Sequence, residues 1–451
     1  MENYCRSFII IIENVKRKSK KIFLHNPDDF KEHLLSWAQQ FNVFIWLDRN
    51  NINQKYSSYD VILAVGINKK ISCNYSNAFD KLKTFQKNIN DYIFGYLSYD
   101  LKNDLENLTS KNFDGLKFLD IYFFQPKKLF LIKNNSLELQ YIKSFENEME
   151  NDLTEIKSED ISSSTSSYNN LNINQIKSRI SKKKYTEKLN IILEHIHRGD
   201  IYEVNFCQEF YAENSRINPL KVYKKLNKIS TPPFAVFLKI KDKYLLSASP
   251  ERFVKKVGNK IISQPIKGTA RRLPNKIEDE KIAEQLYHDP KERAENIMIV
   301  DLVRNDLSKT ALKGSVKVEE LCEVYSFKQV HQLISTVVSK VSDTTNSVEI
   351  IKSLFPMGSM TGAPKISAME IIEQQEETKR GLFSGAVGYF SPNNDFDFNV
   401  VIRSVLYNET KKYTSLIVGS AITSQSKIEN EYEECLVKAK AMKNALINNN
   451  I

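Results

Sequence analysis

The sequence predicts an α+β protein whose first third is a largely antiparallel sheet and whose clearest helix signals lie in the second half. Short apolar runs alternate with polar turns at residues 43–47, 61–65, 92–97 and 129–132, which is typical of antiparallel strands. Helix start and stop signals follow after residue 180. Hydrophobic residues make up 41% of the 451 residues, so the chain has enough apolar surface for a large core.

The N-terminal region, residues 1–155, is expected to consist mostly of strands. The apolar segment at 7–13 is too short to cross a membrane and has no small-residue cleavage site, so it is predicted to be a buried strand. No membrane partner is therefore expected. The cysteines lie far apart without a CxxC pair, which favours reduced thiols in a cytoplasmic protein. They are Cys5, Cys73, Cys207, Cys322 and Cys435.

A polar, low-complexity stretch at 158–167 predicts a linker, placed at residues 156–176. The remaining region, residues 177–451, is expected to form one composite unit with the N-terminal region. In it, residues 185–198 have helical periodicity and stop at Gly199. Asp289-Pro290 begins a second helix, Gly362 to Lys365 leads into a third, and a last helix covers about 431–446.

The segment around Lys267 is the first candidate for chemistry. An apolar stretch leads into Pro265, and Lys267 is followed at once by Gly268 and Thr269. Glycine allows a close approach to the backbone, and a lysine acts as a nucleophile when its surroundings lower its pKa. The alternative is a solvated turn end, which is common for a Lys-Gly pair.

Carboxylates form the second candidate. Glu431, Glu434 and Lys438 are spaced to lie on one face of the last helix. This pattern is either a solvated salt-bridged stripe or a magnesium site, because Mg²⁺ takes one or two carboxylates from protein. Glu295 would be the second carboxylate, since it lies in an otherwise apolar helix.

Four further features are candidates, and the first three have two interpretations each. The Gly-rich loop at 356–365 precedes a helix and is either an anion site, for a carboxylate as much as for phosphate, or a tight turn. His331 is a buried hydrogen-bonded residue or a catalyst, and Arg403 binds a carboxylate or forms an ion pair at a strand end. Glu251 is an isolated acid that suits general acid catalysis.

The net charge of +10 is spread over the whole chain. No basic residues interleave with aromatic ones, so no nucleic-acid partner is expected.

Together, these segments resemble the chorismate-utilising enzymes, the family of anthranilate synthases and aminodeoxychorismate synthases. The matching pieces follow the family's order over residues 185–445, and a weaker match lies at 94–100. They are 199–206, 249–253, 265–269, 293–296, 301–307, 362–365, 385–389, 402–403 and 431–434. The resemblance implies a large fold in which antiparallel β-sheets pack together with helices on the outside.

Lys267 places the chain within the family. Anthranilate synthases have alanine at this position, and the lysine form resembles the branch that makes aminodeoxychorismate. The resemblance implies that neutral Lys267 attacks C2 of chorismate while hydroxide leaves C4 with a proton from Glu251, after which ammonia adds at C4. The alternative is that Lys267 forms no covalent bond and only positions ammonia. Mg²⁺ on Glu295 and Glu434, with Glu431 nearby, would bind the ring carboxylate.

The resemblance also assigns the surrounding residues. Substrate carboxylates would be held by Arg403, Tyr389, Lys438 and the backbone near Gly419. Gly268 would leave room for the ring, Thr269 would supply a hydrogen bond, and His331 would lie near the leaving group.

Two departures from the family pattern are visible. Glu203 stands where the family more often has glutamine, and Gly419-Ser420-Ala421 replaces three glycines. The chain has no Gly-x-Cys-x-Gly segment, so a separate glutamine amidotransferase subunit is expected to deliver ammonia in a heterodimer. The alternatives are an anthranilate synthase and a non-catalytic, regulatory chorismate-binding protein.

Overall fold

The structure, a computed structural model, describes residues 17–52, 54–158, 175–328 and 330–447. Its helices are α1 Pro27–Ala38, α2 Ala78–Ile89, α3 Lys102–Leu105, α4 Met149–Lys157, α5 Lys182–Arg198, α6 Pro219–Ser230, α7 Lys276–His288, α8 Pro290–Ser308, α9 Ser347–Leu354, α10 Lys365–Gln375 and α11 Ile428–Leu446. Its strands are β1 Arg17–Phe23, β2 Val43–Asp48, β3 Val61–Cys73, β4 Ile93–Leu97, β5 Ile121–Lys133, β6 Ser136–Ile142, β7 Lys177–Ser178, β8 Glu203–Ala212, β9 Phe234–Ile240, β10 Lys243–Ser249, β11 Arg252–Val257, β12 Lys260–Gln264, β13 Ile266–Arg271, β14 Lys317–Ser326, β15 Val330–Lys340, β16 Gly362–Ala363, β17 Ala386–Phe390, β18 Phe396–Val400, β19 Ser404–Asn408 and β20 Tyr413–Ile422.

The strands form one continuous antiparallel network with two limbs that diverge from β5. The first limb runs through β3, β2, β9, β10, β19 and β20 to β8. The second limb runs through β4, β17, β18, β11 and β12 to β15, which also pairs with β13 and β14. Strands from before and after the predicted linker therefore share hydrogen bonds.

Two apolar cores stabilise this arrangement. Ile45, Phe94 and Phe398 belong to a core that both limbs share. The neighbouring residue Trp46 points to the opposite face of its strand, as the period of two requires, and it packs in a second core with helix residues such as Tyr185. The predicted α+β class, with antiparallel sheets packed together and helices outside, is confirmed.

Most predicted elements are present. The four apolar runs lie in β2, β3, β4 and β5, and the Asp289 carboxylate caps α8 by accepting from the backbone N–H groups of Lys291 and Glu292. The helix at 185–198 begins three residues earlier, at Lys182, and the last helix begins at Ile428. The predicted strand at 7–13 and residues 159–174 of the predicted linker lie outside the described residues.

The structure agrees with the prediction of unpaired thiols for the four cysteines that it describes. Cys73, Cys207, Cys322 and Cys435 are free thiols. Among the described helices, none is both long enough and apolar enough to cross a membrane.

Candidate active site

Lys267 is a buried ammonium group, not a solvated turn residue. Its Nζ donates to Glu203 Oε1 on β8 at 2.7 Å, and the two side chains are 11% and 2% exposed. Burial alone would lower the pKa of Lys267, but the Glu203 carboxylate, helped by Glu295 and Glu251, holds this pKa above its ordinary value. In this state the lysine carries its proton.

The backbone at Lys267 is held by helix α8. Asn296 is 1% exposed, and its Nδ2 donates to the carbonyl oxygens of Lys267 and Leu333, both at 3.1 Å. Its Oδ1 accepts from Ser335 Oγ at 2.5 Å. Gly268 has a φ of +93°, and a Cβ there would lie 2.9 Å from Leu333 Cδ1, so glycine is required for this turn of the strand. One buried amide thus connects β13 to β15 next to the lysine.

Glu203 is held in place by the Gly-rich loop at 356–365. Gly362 pairs with Val204, and a Cβ at Gly362 would lie 2.1 Å from the carbonyl oxygen of Glu203. Only glycine allows the loop to approach β8 so closely. The loop feeds α10, where Lys365 Nζ donates to Asp306 Oδ2 at 2.6 Å. The structure therefore gives this loop a packing role against the strand that carries Glu203.

Glu251 has the properties of a general acid. It is buried between β10 and β11, and its Oε1 accepts from Ser359 Oγ at 2.7 Å. Burial raises the pKa of Glu251 to about 7, although Ser359 and the charge of Lys267 act in the opposite direction. A carboxyl group with this pKa is partly protonated at neutral pH and has a proton to donate.

Helices α8 and α11 bring carboxylates to the lysine from a second side. Burial raises the pKa of Glu295 to about 7, and Lys267 partly opposes this. Burial would also raise the pKa of Glu434, but its ion pair with Lys438 and the charges of Lys267 and Arg403 hold it below its ordinary value. Both carboxylates therefore interact electrostatically with Lys267.

The acidic donors suit a hard cation, although the described residues contain no group of three or more carboxylate, imidazole or thiol side chains placed to hold a metal ion. Mg²⁺ commonly takes one or two protein carboxylates and completes its shell with water and substrate. Glu295 and Glu434 are carboxylates of the type that this requires, and each interacts electrostatically with Lys267. Glu431 is buried, and its Oε2 has no hydrogen-bond partner among the described residues. The magnesium prediction stays a prediction.

Arg403 is a cation without a fixed partner in this site. Its guanidinium donates no hydrogen bond to any residue of the described part, burial lowers its pKa, and Glu434 opposes that change. A guanidinium of this kind is suited to bind a carboxylate. Lys438 Nζ, by contrast, donates to the Gly419 carbonyl oxygen at 2.8 Å as well as pairing with Glu434.

Unlike the carboxylates described above, three predicted site residues have no hydrogen bond, ion pair or charge interaction with Lys267 in the described structure. His331 is buried, with Nε2 at 3.0 Å from Asp279 Oδ1 and Nδ1 at 2.7 Å from Ser326 Oγ, as in the hydrogen-bonded alternative. Thr269 is exposed on β13.

Tyr389, the second-last residue of β17, lines a cavity that does not include Lys267. Its ring stacks on Phe94 with centroids 5.4 Å apart, and it lines a cavity with Asp48, Arg252 and Asp397. Lys267, Glu203 and Glu295 do not line that cavity.

Sequence reasoning missed three residues of the site. Asn296 and Ser359 lie inside the segments 293–296 and 356–365 but had been given no role. Glu292 was given no role in the site, and its backbone N–H donates to the helix-capping Asp289. Burial raises the pKa of Glu292, which interacts with Glu434 and Lys267. Glu292 and Glu295 are three residues apart, as are Glu431 and Glu434. This repeated spacing was the sequence feature that could have identified Glu292 as a residue of the site.

Comparison with known proteins connects this geometry to a family. The family model for the chorismate binding enzyme matches residues 42–444. Aminodeoxychorismate synthase component 1 of Escherichia coli K12 is 39% identical over 261 residues, which span 58% of this chain and 57% of that relative. The protein of the same name from Bacillus subtilis 168 is 33% identical over 367 residues, covering 78% of this chain and 76% of the relative.

Solved structures share the fold. The anthranilate synthase component I of Streptococcus pneumoniae TIGR4 superposes with a TM-score of 0.74 at 24% identity, covering 87% of this chain and 93% of that one. The menaquinone-specific isochorismate synthase of Escherichia coli superposes with a TM-score of 0.76 at 16% identity, covering 96% of this chain and 95% of that one.

Proposed function

Because this chain belongs to the family of chorismate binding enzymes, we propose that it converts chorismate and ammonia to 4-amino-4-deoxychorismate, the reaction of an aminodeoxychorismate synthase component 1. The match spans 57% of the length of the Escherichia coli relative and 76% of the Bacillus subtilis relative. Similarity to these relatives supports the substrate and the product.

The observation that carries the proposal is the buried Lys267 amine, positioned by Glu203 and Asn296. A fixed lysine next to a ring that loses a hydroxyl group serves as a temporary nucleophile. The Lys267 amine forms a bond to C2 of chorismate while the C4–oxygen bond breaks. Ammonia then forms a bond to C4, and the lysine leaves C2 with its electron pair.

Glu251 supplies the proton that allows the C4 hydroxyl group to leave as water. Its pKa of about 7 keeps it partly protonated at neutral pH. The resulting carboxylate then takes a proton from the new C4 ammonium group, which restores the acid for the next turnover. Ser359 orients the carboxyl group throughout.

Chorismate carries two carboxylates, and Arg403 and a bound Mg²⁺ would neutralise their charge. Glu295 and Glu434 would hold Mg²⁺, which when bound supplies positive charge to the ring carboxylate. The surroundings of Glu295 support this assignment, because its side chain is only 17% exposed and its ion-pair partner among the described residues, Lys291, lies 3.8 Å away. Arg403 binds the other carboxylate through its free guanidinium group.

The ammonia is expected to come from a separate glutamine amidotransferase subunit, because the sequence has no Gly-x-Cys-x-Gly segment. Free ammonium should replace that partner in vitro.

The proposal is tested by identifying the product by mass. Purified protein with chorismate, Mg²⁺ and ammonium should form aminodeoxychorismate, and Lys267→Ala should lower its rate by at least about 100-fold. Lys276→Ala is the matched control, because the Lys276 side chain is 87% exposed. Anthranilate as the wild-type product would instead favour an anthranilate synthase, and chorismate binding without any product would favour a regulatory protein.

A further inference from the structure

The two oxygens of the Glu203 carboxylate have different environments. Oε1 accepts from Lys267 Nζ at 2.7 Å. Oε2 is buried and has no hydrogen-bond partner in the described part of the chain. A buried, unpartnered carboxylate oxygen is costly unless something neutralises it. The carboxylate therefore has free capacity to bind a proton at the position next to the lysine.

The lysine has the opposite requirement. An ammonium group has no lone pair, so Lys267 becomes a nucleophile only after it gives up a proton. Solvent has little access to the pair, whose side chains are 11% and 2% exposed. Among the described residues, Glu203 is the carboxylate that touches Nζ.

We infer that Glu203 is the proton acceptor that converts Lys267 into its nucleophilic form. This inference rests on the proposed function. The N–H bond of Lys267 breaks and an O–H bond forms on Glu203, so a buried ion pair becomes a neutral pair with no change in net charge. The free amine then bonds to C2. When ammonia expels the lysine, the amine regains its lone pair, and the proton returns from Glu203.

Transfer within the pair leaves its net charge unchanged, and a dianionic substrate then lies next to a neutral carboxyl group in place of the Glu203 carboxylate. Other elements that face Lys267 carry charge of the same sign as Glu203. They contribute Glu251 next to β11, Glu292 and Glu295 on α8, and Glu434 on α11. None of these four carboxylates makes an ion-pair contact with Lys267 in the described structure, so none replaces Glu203 as the direct acceptor.

The first test compares the rate of Glu203→Gln with that of wild type from pH 6 to 9. Without its acceptor, the lysine must lose its proton to solvent, so the ratio of variant to wild-type rates should rise about tenfold per pH unit until the lysine is deprotonated. Taking the ratio cancels the titration of Glu251, which both proteins share. A ratio that does not change with pH overturns the inference.

The second test reads the lysine directly and does not depend on turnover. Competitive acetylation of Lys267 by acetic anhydride, quantified by peptide mass spectrometry, gives the pH midpoint of its amine. The midpoint should fall by at least about one unit in Glu203→Gln, because an adjacent opposite charge shifts a pKa by about 1–3 units. Exposed Lys276 is the internal reference and should not move. An unchanged Lys267 midpoint overturns the inference.

Two controls keep the result interpretable. Glu203→Asp retains a carboxylate, so it should keep the wild-type pH dependence at a lower rate, and it replaces the glutamine variant if that variant does not fold. Asp152→Asn removes a different buried ion pair, to Lys128, and should leave the pH dependence unchanged. Anthranilate from the wild type refutes the proposed function, whereas normal product with a flat rate ratio refutes only the role of Glu203.

Discussion

Replacing Asn296 with alanine is expected to destabilise the protein and slow the reaction together. The side chain makes three hydrogen bonds, two to carbonyl oxygens and one from Ser335. Each hydrogen bond contributes about 1 kcal/mol net, and buried groups left without a partner cost about 1–3 kcal/mol. The loss should therefore be about 3 kcal/mol of unfolding free energy.

The effect on activity follows from the position of the lysine. Asn296 on α8 donates hydrogen bonds to the carbonyl oxygens of Lys267 on β13 and Leu333 on β15. Without this amide, the Lys267 backbone loses a hydrogen bond that fixes its position next to β15. A displacement of about 1 Å in a reacting group costs up to about 100-fold in rate. We expect kcat to fall about 10–100-fold with a smaller change in KM for chorismate, because Asn296 positions Lys267 and does not touch substrate.

Urea unfolding and steady-state kinetics measure the two effects. Asn408→Ala is the matched control, since Asn408 is also buried and donates to a carbonyl oxygen, that of Leu116, at 2.8 Å. It should lose stability but keep the wild-type kcat. Ser335→Ala, which removes one of the three bonds, should have an intermediate effect on both.

A positioning role for Asn296 is refuted if Asn296→Ala loses stability to the same degree as Asn408→Ala and keeps the wild-type kcat. That result would mean that Asn296 packs the sheet without positioning the lysine.

Three further predictions concern the acid, the guanidinium and the metal. The pKa of Glu251 is raised from 4.5 to about 7, so the wild-type rate should fall as the pH rises above about 7. Glu251→Gln should be at least about 100-fold slower, and its rate should not show this fall above about pH 7. The folded state binds the Glu251 proton more tightly than the unfolded state does. The free energy of unfolding that this proton contributes is therefore complete below pH 4.5 and is lost as the pH rises through about 7. Urea unfolding at several pH values should show a weaker pH dependence in Glu251→Gln. Arg403→Ala should lower kcat/KM for chorismate about 10–100-fold, because it loses a charge-assisted contact of about 1.5–3 kcal/mol. An unchanged kcat/KM would contradict this. A chelator should abolish activity and Mg²⁺ should restore it, and calorimetry should find weaker Mg²⁺ binding in Glu295→Gln and Glu434→Gln; full activity without any divalent ion would exclude the metal.

Much of the fold was predictable because its signals are local. The strand runs at 43–47 and 61–65 and the cap at Asp289 depend on neighbouring residues only, and each is present in β2, β3 and α8. The helix ends were less accurate. The last helix begins at Ile428 because one more turn of backbone hydrogen bonds forms before Glu431, and Lys427, its cap, gives no side-chain signal.

The candidate site was only partly predictable. Lys267, Glu251, Glu295 and Glu434 were identified through segments that resemble the family, because residue type and spacing alone also fit a turn end or a salt-bridged stripe. The sequence could not show that the Tyr389 ring lines a cavity that Lys267 does not line, since strand parity and the path of β17 decide where the ring points. Asn296 and Ser359 act through contacts to residues distant in sequence, and their types alone carry no signal.

The sequence by itself determined the residue types, the periodicities and the order of segments, and these were enough for the α+β class and the family resemblance. The tertiary structure alone decided the partner of Lys267. Glu203 lies 64 residues away in sequence and reaches the lysine because β8, which carries it, is held by β20 and by the Gly362 loop. Whether a lysine is a solvated turn residue or a buried ammonium depends on its dielectric environment and nearest charges, which folding sets and sequence spacing does not.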